Sequence, residues 1–342
     1  MSNLLFKACE EGQVETVREL LNQGVSPNIQ NEENGRAPLH ISKNSEVTQL
    51  LMSYGADLNI SDYHGNTPLH LTSFCSSHNL VKMIQLLNQG ANPNALNNSK
   101  ITTLHLLMCS YHWNKCLVLE AINLLIKFHA EIDIQNELGE SPLYFGVKSV
   151  PANKQTTEII HELLKLGANP NLKTIYETTP FWEVIFRLED INLMSLMISY
   201  GAKIDYAPSD GVTLLHLAAS NLNIEIMRKL LENGADPNAL DEKKQSPLHS
   251  VFQMENEDEK SEKSIVGAIE ELVKHGANIN VQDEKGKTPL HSAIELNGHT
   301  ITKALSNLGS DPNIRDKNGK TALEMALANG HKMNCTKSLF FS

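Results

Sequence analysis

Residues 62–70 read DYHGNTPLH, and the last four of them, TPLH, return along the chain in altered form. The string reads APLH at 37–40, TTLH at 102–105, SPLY at 141–144 and TPFW at 179–182. It continues as TLLH at 213–216, SPLH at 246–249, TPLH at 288–291 and TALE at 321–324, and a divergent NLLF at 3–6 opens the series. The ten starts are spaced 34, 30, 35, 39, 38, 34, 33, 42 and 33 residues apart. A second motif keeps step: GVSPN (24–28), GADLN (55–59), GANPN (90–94), HAEID (129–133) and GANPN (167–171). GAKID (201–205), GADPN (234–238), GANIN (276–280) and GSDPN (309–313) follow. Two motifs in lockstep mean one structural unit written ten times.

The chemistry of the motifs says what a unit does. The Thr of TPLH caps a helix. The Pro fits the first helical turn, where its missing N–H costs nothing. The Leu points into the stack. NIEIMRKLLENGAD at 223–236 carries the apolar spacing of an amphipathic second helix, which Gly234 ends. One such helix pair cannot cover its own apolar face, so neighbours cover it and the end units are atypical. The long spacings place insertions at SYHWNKC (110–116), SVPANKQ (149–155) and ENEDEKSEK (255–263), all between helices. The 30-residue unit has a shortened first helix near SKNSE (42–46).

These motifs and their period resemble the ankyrin repeat, over residues 2 to 335. The resemblance implies an all-α fold, an α-solenoid of stacked helix-turn-helix units with β-hairpin loops, curved with a concave face. It implies a single domain over 1–342. Its units lie near 2–34, 35–64, 65–99, 100–138, 139–176, 177–210, 211–243, 244–285, 286–318 and 319–342, with the first and last as caps.

Composition narrows the class. The 342 residues carry a net charge of -11, which argues against nucleic-acid binding and against anionic lipid. No stretch approaches the apolar length of a membrane helix, and the acidic N-terminal stretch does not read as a signal peptide. Five scattered cysteines with no CxxC point to a reducing compartment, so the expectation is a cytoplasmic monomer without cofactor or metal.

Histidine raises the question of chemistry. Six of the 14, His40, His70, His105, His216, His249 and His291, fill the fourth TPLH position. The resemblance assigns them a structural hydrogen bond between units. Ligands must converge to about 2 Å from one ion, whereas packed helices lie about 10 Å apart. Phe6, Tyr144, Trp182 and Glu324 occupy the same slot elsewhere, which a metal site would not tolerate. Cys109, His112 and Cys116 invite a zinc or nucleophile reading. The set lacks a fourth ligand or an orienting third group and reads better as core residues beside a loop. The Asn closing the second motif braces its turn. The resemblance also makes Asn59, Asn94, Asn171, Asn238 and Asn280 candidates for hydroxylation.

Family partners lie on the concave face, on hairpin tips and first helices. Those positions here are Tyr63, His64, Asn66, Phe74, Ile101, Leu138, Ile175, Tyr176, Phe186 and Arg187, with Trp113 on an inserted loop. Aromatic and apolar residues gather between about 60 and 190 and charges dominate later, so the contact surface is expected there. The implied function is a non-enzymatic scaffold or adaptor that binds a protein. The alternative is a bacterial or viral effector acting on host proteins, in the host cytosol or nucleus. A third reading, an enzyme built on Cys109 and Cys116, competes from another class.

Overall fold

Each TPLH copy starts a helix, and a second helix follows it. The computed structural model describes residues 1–73, 76–109, 114–149, 154–188, 190–253, 262–296 and 298–328. Ser2–Glu11 pairs with Val14–Asn22, Pro38–Ile41 with Ser45–Ser53, and the 3₁₀ turn His70–Ser73 with Ser77–Asn88. Thr103–Met108 pairs with Lys115–Lys127, and Pro142–Ser149 with Lys154–Lys165. Pro180–Glu183 continues as a π-helical turn, Val184–Leu188, before Ile191–Ser199. Leu214–Ser220 pairs with Ile224–Glu232, Pro247–Ser250 with Glu262–Lys274, and Pro289–Glu295 with His299–Asn307. Ala322–Ala328 is the last described helix. The chain divides into two compact units, Met1–Glu183 and Val184–Ser342. The inserted segments 110–113, 150–153 and 254–261 lie outside the described residues.

The motif Leu is a core residue of the first helices, except that Leu323 of the last copy is half-buried. Leu39, Leu69, Leu104, Leu143, Leu215, Leu248 and Leu290 are all buried, as is Phe181 in their place. Burying one such side chain contributes about 2 kcal/mol. The second helices add a stripe each; in Ile224–Glu232 the buried positions are Ile226, Met227, Leu230 and Leu231. Gly234 follows in the left-handed region at φ 95°, as a helix-ending residue does. His129 takes the equivalent conformation at φ 65° without the freedom of glycine.

The imidazoles serve two units at once. His105 Nδ1 accepts the Thr102 backbone N–H at 3.2 Å, while Thr102 Oγ1 accepts the His105 N–H at 3.4 Å. This is a capping box with imidazole where Glu or Gln is usual. Because Nδ1 accepts, the ring proton sits on Nε2, which donates to the Glu140 carbonyl of the next repeat at 3.0 Å. His40, His70, His216, His249 and His291 reach the carbonyls of Asn66, Ile101, Gln245, Lys287 and Lys320 at 2.9–3.2 Å. Tyr144 substitutes by length: its hydroxyl meets Thr178 Oγ1 at 2.8 Å and donates to Glu183 Oε1 at 2.7 Å. Glu324 restores the usual box, accepting the Thr321 N–H at 2.9 Å.

The asparagines also bridge repeats, where the sequence suggested a brace within one turn. Asn94 donates from Nδ2 to the His129 carbonyl at 3.1 Å and accepts the Glu131 N–H on Oδ1 at 2.8 Å. Asn28 does the same with Gly55 and Asp57, and Asn238 with Gly276 and Asn278. Asn59 and Asn280 accept the N–H groups of Asn92 and Asp311. The Asn171 N–H is held by Asn169 Oδ1 at 2.9 Å.

The expected β-hairpins appear as turns without strands. Asp62 donates to the Asn66 carbonyl at 2.9 Å, and the Gly65 N–H closes back on Asp62 at 2.9 Å. Adjacent tips are joined by single backbone bonds, such as Asn98 N–H to the His64 carbonyl at 3.0 Å. Five-residue loops tied this way are too short for a ladder. Among the described residues only one antiparallel bridge forms, Arg315 with Thr321.

Two stability tests follow. Burial pulls His105 down to about 4, and lowers His40, His70, His216 and His249 for the same reason. An unfolded imidazole takes up its proton at the ordinary value, so this stability is complete above about pH 6.5 and is lost as pH falls toward about 4. For His105 the interval corresponds to about 3 kcal/mol. Urea midpoints should drop across that window, and His105→Gln, which keeps a capping box, should flatten part of the drop. A midpoint unchanged between about pH 7 and about pH 4.5 contradicts the assignment. Separately, Asn94→Ala removes both bridging bonds and should cost about 1–3 kcal/mol in urea unfolding.

Candidate functional site

The turn Asp62–Asn66 holds its tip residues outward because its inner positions are used up. Asp62 is buried, and its Oδ1 accepts the N–H groups of His64 and Asn66 at 2.9 and 2.8 Å. Gly65 supplies the left-handed residue at φ 78°. Lys100 and Glu177 occupy the same conformation in later turns, at φ 56° and 60°, without being glycine. Tyr63 and His64 are left facing solvent, with Tyr63 60% exposed.

Leu138, Ile175 and Tyr176 come together on two later tips. The Ile175 N–H donates to the Leu138 carbonyl at 2.9 Å, which fixes one turn against the other. Ile175 is 60% exposed and Tyr176 70%, and Leu138 is also exposed. Large apolar side chains on a braced backbone lose little freedom when a partner covers them.

The other expected residues separate. Asn66 is half-buried and committed to the scaffold: its carbonyl serves His40, and its Oδ1 accepts Asn97 Nδ2 at 3.0 Å. Ile101 is half-buried, with its carbonyl on His70. The ring of Tyr63 lies against the preceding turn, since a Cβ on Gly35 would fall 2.3 Å from it. Phe186 and Arg187 are exposed, and they belong to the second compact unit, on the π-helical turn Val184–Leu188. Phe74 and Trp113 lie outside the described residues.

The cysteine reading gains nothing from geometry. Cys109 lies 3.5 Å from Ser149 Oγ, and burial pushes its thiol upward, away from thiolate character. Cys116 is a free, exposed thiol, and His112 lies outside the described residues. Among the described residues no group of three His, Cys, Asp or Glu converges as a metal site, and no helix is long and apolar enough to cross a membrane. Sequence reading missed Lys82, which is buried in the apolar run Leu80, Val81, Met83, Ile84. The one available signal was its place on the inward stripe with Met83 and Leu86.

Comparison with known proteins agrees with this architecture. The family model described as ankyrin repeats (3 copies) matches residues 5–97, 149–241 and 261–341. The chain is similar to the "Probable 26S proteasome regulatory subunit p28" of Saccharomyces cerevisiae, with 28% identity over 68% of this chain and 100% of that protein. It is similar to the phosphocholine transferase AnkX of Legionella pneumophila, with 24% identity over 66% of this chain but 25% of that enzyme. Against most of the curated relatives the chain spans less than half of their length. The crystal structure of the Bcl-3 ankyrin repeat domain matches with a TM-score of 0.58 and 23% identity, over 71% of this chain and 99% of that one. With the two repeat motifs, the bridging imidazoles and the family match all in register, the chain belongs to the ankyrin-repeat family.

Proposed function

We propose that the protein is a non-enzymatic scaffold that binds a protein partner through the hairpin tips of its first unit. The observation that carries this reading is the pair Ile175 and Tyr176, exposed beside Leu138 on turns locked by backbone bonds. Tyr63 and His64 extend the surface, with Asn66 and Ile101 as its half-buried margin. Phe186, Arg187, Phe74 and Trp113 are offered as further contacts on their own segments. Aromatic residues on preformed surfaces anchor interfaces. The scaffold acts as a monomer in a reducing cytoplasm, a reading drawn from its five scattered cysteines with no CxxC. Hydroxylation at Cβ of Asn94 or Asn238 would leave both amide bonds in place, so these sites remain part of the proposal.

A second reading, an effector acting on host proteins, draws on the similarity to the Legionella enzyme. That similarity covers a quarter of the enzyme, so it favours a shared binding module over shared catalysis.

The test is affinity capture with quantitative mass spectrometry, comparing wild type with the double variant Tyr63→Ala, Tyr176→Ala. A partner recovered by wild type should be lost about 10-fold or more, at unchanged far-UV circular dichroism. Undiminished recovery would sink the assignment of these tips.

A further inference from the structure

Lys82 sits on the second helix of the third repeat, Ser77–Asn88, and turns inward, 6% exposed. Its Nζ donates to the His40 carbonyl at 3.1 Å and to the Ser42 carbonyl at 2.9 Å. Those carbonyls belong to the end of the short helix Pro38–Ile41 and its cap. An ammonium has three protons to place, whereas a neutral amine has two and keeps a lone pair. Two acceptors suit the neutral amine. Among the described residues no carboxylate pairs with the amine, and Glu10 in the same wall is paired with Lys43 at 3.0 Å. Burial brings the amine down to about 7, so a large share is neutral near neutral pH. Of its titratable neighbours, burial raises the Cys9 thiol to about 12 and lowers the His40 imidazole, while the basic Arg36 and Lys43 and the acidic Glu10 share the same wall.

The amine lines a pocket of about 300 Å³, walled also by Arg36, His40, Ser42, Lys43 and Leu71. Arg36 Nε is ion-paired with the buried Asp62 carboxylate, with Oδ2 at 3.7 Å and no hydrogen bond between them, and the Arg36 side chain is 37% exposed. A half-exposed guanidinium keeps N–H donors besides the one facing Asp62, and their best acceptor is a carboxylate. A nucleophilic amine and a carboxylate-seeking donor therefore share one small wall.

We propose that this pocket is a reversible covalent site for small oxo acids, in which Lys82 bonds the carbonyl carbon and Arg36 holds the carboxylate. The Lys82 lone pair attacks that carbon and forms the C–N bond. The carbonyl C–O bond breaks, and its oxygen leaves as water with the two amine protons. The imine that results, once protonated, donates its N–H to one of the two carbonyls that held the amine. No oxidant or reductant enters. The ligand links the second repeat to the third, with Glu10 of the first at the rim.

The test uses glyoxylate on the full chain at about pH 7, with cyanoborohydride to trap the imine and peptide mapping to locate it. Lys82 should be labelled about 10-fold faster than exposed lysines such as Lys317, and its labelling should saturate with glyoxylate. Acetaldehyde, which has no carboxylate, should show no such preference. Arg36→Gln should slow Lys82 labelling about 10-fold at an unchanged circular dichroism spectrum. Label spread over lysines in proportion to their exposure overturns the site. So does equal preference for acetaldehyde, and so does an Arg36→Gln chain that labels at the wild-type rate. If Arg36→Gln does not fold, the wild-type map with its acetaldehyde comparison decides alone.

Discussion

A neutral imidazole with one acceptor and one donor nitrogen is the constraint on which this architecture depends. Nδ1 closes the cap of its own helix, and Nε2–H ties that helix to the next repeat, as His105 does between Thr102 and Glu140. Protonation would set an N–H against the Thr102 N–H, so the bridge works only uncharged. Burial enforces that state and supplies the low-dielectric setting in which the bonds are strong. Where histidine is missing, another group must span the same gap. Tyr144 does so with its hydroxyl, while Glu324, on the last described helix, caps only its own helix.

A second ladder runs through the Gly-Ala-x-x-Asn motifs. Asn28, Asn94 and Asn238 each use both ends of the amide on the following repeat. Together the two ladders commit inward and lateral groups of several turns to the scaffold. Tip side chains are released from that duty, and this division makes Tyr63, Ile175 and Tyr176 available while withdrawing Asn66. Binding capacity is therefore a by-product of how the repeats are held together.

Lys82 breaks the pattern that the other buried positions follow. A buried amine is costly in an apolar stack, and here it is satisfied by carbonyls that the truncated helix Pro38–Ile41 leaves without helical partners. The short second repeat and the buried lysine of the third thus form one arrangement. The deficit of one repeat is met by the side chain of a later one.

The repeat motifs and the family they resemble determined the succession of helix pairs, the Leu core and the structural role of the six histidines, because local capping chemistry recurs at a near-constant period. His70 could be read as scaffold from its counterparts, and Tyr63 and His64 as tip residues from their place in the turn. Tertiary structure decided the rest. Whether Asn66 faces a partner or a neighbouring turn depends on Asn97, which lies 31 residues away in the chain. The direction of the asparagine bonds and the burial of Lys82 depend likewise on what the adjacent repeat presents. The period repeats the unit, but only packing fixes which groups of neighbouring units meet.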